Sequence, residues 1–133
     1  TIEFITIATF GDAQDFGDLS VTRRGCGSSS NQTRGLFCGG DTPTKVDTID
    51  YITIATEGNA TDFGNLTAAR SFTSATASAT RLIIAGGAES PGRVNKIEFV
   101  AISTTGDSTD FGDLIQAVTA CAGSSDVHGG LAQ

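Results

Sequence analysis

Carboxylates at regular spacing are the first residues in this chain that could do chemistry. Asp12, Asp15 and Asp18 fall three apart, as do Asp107, Asp110 and Asp113. Calcium takes several oxygen ligands from one short loop, so each triplet invites a cation. The spacing is not the alternating pattern of a familiar calcium loop, and a matching set reads Asn59, Asp62 and Asn65, two charges poorer. Asp and Asn also bond to nearby backbone in turns. Turn chemistry is the favoured reading and a cation loop the alternative.

The other reactive types are sparse. His128 is the single histidine, and Cys121 seven residues before it is not at a metal-ligand spacing. Cys26, Cys38 and Cys121 are odd in number and contain no C-x-x-C pair. The hydroxyls at 28–30 and 74–78 belong to no Ser-His-Asp set. The stretch "GCGSSS" lacks the Gly-Lys-Ser/Thr ending of a phosphate loop. Without a general-base constellation, the chain reads as a non-enzyme with neither cofactor nor resident metal.

The triplets sit inside a phrase written three times: "GDAQDFGDL" at 11–19, "GNATDFGNL" at 58–66 and "GDSTDFGDL" at 106–114. A catalytic site needs its phrase once, whereas near-constant spacing belongs to architecture. The chain divides into repeats 1–47, 48–95 and 96–133, the last cut short. Their openings, "TIEFITIAT", "TIDYITIAT" and "KIEFVAIST", combine β-branched and aromatic residues with partial alternation and read as strands. A Gly-Asx turn leads to a second strand expected at about 15–21, 62–68 and 110–117. After a Ser/Thr/Ala-rich stretch comes an apolar run ending in two glycines, "TRGLFCGG" or "TRLIIAGG". No helical period interrupts this order. Three or four strands per 47 or 48 residues is the plan of a propeller blade, whose faces need neighbours.

This alignment makes Cys26, Thr73 and Cys121 equivalent, and equivalent positions in stacked repeats stand too far apart for a disulfide. The cysteines are therefore expected as small, half-buried residues, with a structural bridge as the alternative. Arg23 matches Arg70, and Arg34 matches Arg81. Repeated arginines in an acidic chain are expected to pair with the repeated Asp or Glu of the adjoining repeat; recognition of acidic sugars is the alternative.

Composition agrees with this plan. Seventeen glycines suit tight turns, and 38% hydrophobic residues suffice for a core without Trp or Met. A net charge of −7 with scattered basic residues argues against a nucleic-acid partner. No apolar run approaches bilayer-spanning length, so no membrane partner is expected.

The order of apolar run, double glycine, polar turn, strand, aromatic and Arg resembles the kelch repeat. Gly39–Gly40 and Gly86–Gly87 stand for the double glycine, and Phe16, Phe63 or Phe111 for its usual Trp. Val118 replaces the Arg in the third repeat. The phrase around "DFG[DN]L" is similar to repeats of kelch-like structural proteins of tailed phages that infect cyanobacteria. These resemblances imply an all-β fold of four-stranded antiparallel propeller blades, about three per chain. They further imply a virion or extracellular location, in a tail fibre, spike or capsid decoration. Kelch-like copper oxidases need two His and two Tyr, and this chain has one of each.

Three blades close a ring poorly. The chain is thus expected either to pair as a dimer completing six blades or to be part of a longer chain, since it starts within a strand-like run and Gln133 aligns with Ala85. Ligand contact is expected in the stretches that differ between repeats, 25–32, 72–79 and 120–127. Ser28, Asn31, Thr73, Thr76, Ser124 and Asp126 are the candidate residues. The expected function is a non-enzymatic virion appendage binding a host glycan or another virion protein. The alternative is a kelch-like carbohydrate- or protein-binding module of a bacterial surface or secreted protein.

Overall fold

The computed structural model describes residues 1–125. Every element is a β-strand, and every strand pairs antiparallel with its sequence neighbour in the same sheet. Strands β1 (Ile2–Phe4) and β2 (Gln14–Gly17) form a two-stranded sheet. A four-stranded sheet follows: β3 (Gly27–Ser30), β4 (Arg34–Asp41), β5 (Lys45–Thr53) and β6 (Thr61–Asn65). A second one comprises β7 (Ser74–Ala77), β8 (Arg81–Ala85), β9 (Val94–Ala101) and β10 (Thr109–Val118). Each four-stranded sheet takes two strands from the end of one sequence repeat and two from the start of the next.

The repeated phrase produces the same bulge three times. Ile2 pairs with Gly17 but Glu3 with Asp15, which leaves Phe16 as the extra residue. Ile49–Gly64 and Asp50–Asp62 bulge out Phe63, and Ile97–Gly112 with Glu98–Asp110 bulge out Phe111. A bulge re-aims its side chain. Each Phe meets the aromatic of its partner strand edge to face: Phe4–Phe16, Tyr51–Phe63 and Phe99–Phe111, at 6.0, 5.8 and 6.0 Å between centroids. Such pairs contribute about 0.5–1.5 kcal/mol beyond area burial.

The core lies between the two four-stranded sheets. Leu36, Cys38, Ile49, Phe63 and Leu66 of the first meet Leu82, Ile84, Val100 and Ile102 of the second. Alternation along the strands decides this, because Leu82 and Ile84 are buried while Ile83 between them is half-exposed. The double glycines have a packing reason. Gly39 and Gly86 sit at φ 63° and 62°, where a side chain is strained. There Gly40 donates its N–H to the Arg70 carbonyl at 2.9 Å, and Gly87 to that of Val118 at 2.8 Å.

The second strands depart from their expected spans. β2 and β6 stop at Gly17 and Asn65, whereas β10 runs on to Val118. After the first two phrases the hydroxyls of Ser20 and Thr67 turn to acids of the following sheet, although Leu66 and Arg70 still donate to the Asp47 and Val46 carbonyls. In the third repeat the equivalent residues make no such junction among the described residues, and pairing with β9 continues.

Candidate functional site

The Asx residues of the phrase act between sheets. Asn59 Oδ1 accepts the Asp18 N–H at 2.9 Å, and Asp107 Oδ1 accepts the Asn65 N–H at 2.9 Å. Flanking backbone bonds repeat as well. Gly58 N–H donates to the Phe16 carbonyl and Ala60 N–H to that of Asp18; Gly106 and Ser108 do the same to Phe63 and Asn65. Each Gly-Asx turn thus seats on the DFG strand of the preceding sheet. Gly17 and Gly64, at φ 147° and 149°, lie against the carbonyls of Gly58 and Gly106, which any Cβ there would strike. Among the described residues no group of three or more His, Cys, Asp or Glu stands together.

The matched arginines are spent at the same junctions. Arg23 Nη1 lies 2.9 Å from Asp50 Oδ2, and Arg70 Nη2 lies 3.3 Å from Glu98 Oε1, all four side chains being buried. Ser20 donates its hydroxyl and its N–H to Asp50; Thr67 does likewise to Glu98, and the Ser108 hydroxyl also donates there. Arg23 Nη2 donates to the Phe37 carbonyl at 3.2 Å, whereas Nε of Arg23 and Nε and Nη1 of Arg70 have no protein partner beyond these ion pairs. These are ionic contacts inside a sheet-to-sheet seam, which answers the expectation of pairing with the adjoining repeat. Arg34 and Arg81 do something different. Arg34 stacks on Tyr51 at 4.7 Å and donates to the Ile102 carbonyl, and Arg81 stacks on Phe99 at 5.0 Å.

The stretches that vary between repeats come together side by side. The Phe72 N–H donates to the Gly25 carbonyl at 2.6 Å, and the Ala120 N–H to the Phe72 carbonyl at 3.0 Å. These three residues are equivalent in the repeat, and all take positive φ. β3 lies alongside β7, Asn31 Nδ2 donates to the Ala79 carbonyl at 2.9 Å, and Gly123 rests on Thr76 and Ser74. Ser28, Ser29 and Ser30 line a concavity of about 190 Å³ with Phe37.

The candidate residues fare unequally on this surface. Ser28 and Ser124 are exposed and Thr76 half-buried. Thr73 is buried, and its hydroxyl accepts from Gly27 N–H at 3.0 Å and donates to the Cys38 carbonyl at 3.3 Å. That bond joins the two inner strands. Asn31 half-spends its side chain on its own turn, accepting from the N–H groups of Thr33 and Arg34. Asp126 and His128 lie outside the described residues. Ser29, in the concavity and equivalent to Thr76, was absent from the sequence candidates, although the serine run at 28–30 signalled it.

All three cysteines are free thiols. Burial pushes the Cys38 thiol up to about 12, with Cys26 nearby adding to the shift. Such a thiol is inert at neutral pH. No protein-family model matches the chain, and no curated protein is similar to it at a significant level.

Proposed function

We propose that the chain is a non-enzymatic recognition module built of kelch-like propeller blades. In this reading it serves a virion appendage such as a tail fibre, spike or capsid decoration, and two copies complete a six-bladed ring. It binds a host-surface glycan or another virion protein. One observation carries the proposal: residues that recur between repeats are consumed in sheet-to-sheet seams, while the stretches that differ lie side by side with part of each exposed. A repeated scaffold with unrepeated contact residues is how recognition is mounted on a rigid frame. The short hydroxyls of Ser28, Thr76 and Ser124 suit the hydroxyl-rich surface of a sugar. The resemblance to phage kelch-like proteins supplies the virion setting.

Binding to arrayed glycans and to whole cells tests this reading, using the chain and a Ser28→Arg/Thr76→Arg variant. Binding lost in the variant at an unchanged melting temperature is the expected result. Binding that ignores both substitutions, or no binding to glycans, cells or virion proteins, overturns it.

A further inference from the structure

The two internal seams define what a third would look like. Phe16 and Phe63 are 8% and 2% exposed beneath the following Gly-Asx turn, but Phe111 is 56% exposed. A Cβ on Gly112 would meet nothing within 4 Å among the described residues, unlike its equivalents Gly17 and Gly64. The same DFG surface, with the same bulge and the same positive φ, therefore stands open at β10. Ile115 beside it is fully exposed.

The other end of the chain presents the complementary part. Gly11 and Asp12 are exposed and equivalent to the seated Gly58–Asn59 and Gly106–Asp107 turns. Ile5 and Ile7 are exposed, as is their equivalent Ile54 after the two-stranded β1–β2 sheet, whereas Val100 and Ile102, which follow a four-stranded sheet, are buried in the core.

We propose that these two ends bind each other between molecules, the Gly11–Asp12 turn of a second copy seating on Phe111–Asp113. In this seam the second copy's Asp12 carboxylate accepts the Asp113 N–H, and its Ile5 and Ile7 cover the apolar surface that includes Phe111. The inference rests on the stacked-unit part of the reading above and not on any ligand.

The intermolecular seam is weaker than the internal ones for a visible reason. Asp50 and Glu98 each find a hydroxyl and an arginine in the segment that follows the preceding DFG strand. The matching acid Glu3 of a second copy would face Ile115 and Val118, which occupy the positions of Ser20 or Thr67 and of Arg23 or Arg70. A carboxylate against apolar groups resists desolvation. The association is accordingly reversible and dependent on concentration.

Light scattering across a concentration series tests the seam, with twice the 13.5 kDa chain mass expected at the high end. Gly112→Val places a Cβ in the path of the incoming turn and should raise the dimer dissociation constant by about tenfold or more. Ile115→Ser/Val118→Arg rebuilds the internal acid site and should tighten the dimer. That second variant decides the matter should the first fail to fold. A monomer at every concentration, or an association indifferent to Ile115→Ser/Val118→Arg, overturns the proposal. A mass rising beyond two copies upholds the seam while removing the closed six-bladed ring, since a heterologous contact either closes or propagates.

Discussion

Two buried ion pairs show how a residue's role depends on what surrounds it. Asp50 and Glu98 sit in the seams with their oxygens fully employed, while the arginines opposite keep unbonded nitrogens. Burying a pair contributes little net stability, yet removing one partner leaves a buried charge exposed to its full desolvation cost. Arg70→Ala should therefore destabilise by about 3–5 kcal/mol, measured by urea unfolding. Adding Glu98→Gln, which removes the unpaired charge yet keeps an acceptor for Thr67 and Ser108, should recover part of that loss; equal damage from the single and double variants would refute the account. Cys38 offers a second test. Its folded thiol holds its proton to about 12, against 9.0 for an ordinary cysteine. The unfolded chain thus releases this proton first, and stability should fall as pH rises across that window, having been unaffected below it. Alkylation at pH 8 should spare Cys38 until the chain is unfolded, and its labelling in the native state would contradict the burial.

At the scale of elements, the Gly-Asx turn is the joint between sheets. Its bonds run from Asn59 to Asp18 and from Asp107 to Asn65, some forty residues back along the chain. Asn59→Ala should cost about 0.5–1.5 kcal/mol, the net worth of an exposed bond whose Asp18 N–H water can take over. Gly64→Ala should be worse than Gly112→Ala. Both incur strain at positive φ, but only Gly64 has the Gly106 carbonyl in the way. Equal melting temperatures for those two variants would mean that the turn does not hold the sheets together. Position in the array, rather than local sequence, distinguishes the two glycines.

Across the whole molecule, the buried cluster runs from Leu36 to Ile102 and includes nothing from the β1–β2 sheet. A chain lacking residues 1–18 should therefore keep both four-stranded sheets, with a lower melting point because Gly58 and Asn59 lose their partners Phe16 and Asp18. Retained strand signal in circular dichroism and dispersed amide resonances are expected; a collapsed spectrum would show that the hairpin belongs to the folding core.

Much of this was legible in the primary structure. Alternating apolar residues, bounded by Gly-Asx and Gly-Gly, determined the strands and their antiparallel order, since those signals are local and of period two. The matched positions of Arg23 and Arg70 announced pairing with acids of the next repeat, but the same expectation failed for Arg34 and Arg81, which stack on Tyr51 and Phe99. The tertiary structure alone decided who partners whom. "DFG" reads alike at Phe16, Phe63 and Phe111, yet two are covered and one is open. Thr73 reads like any candidate hydroxyl, and only its burial against Gly27 and Cys38 makes it a strut. Burial and seating depend on what the neighbouring sheet presents across a seam, and a repeated phrase carries no record of whether its neighbour is there.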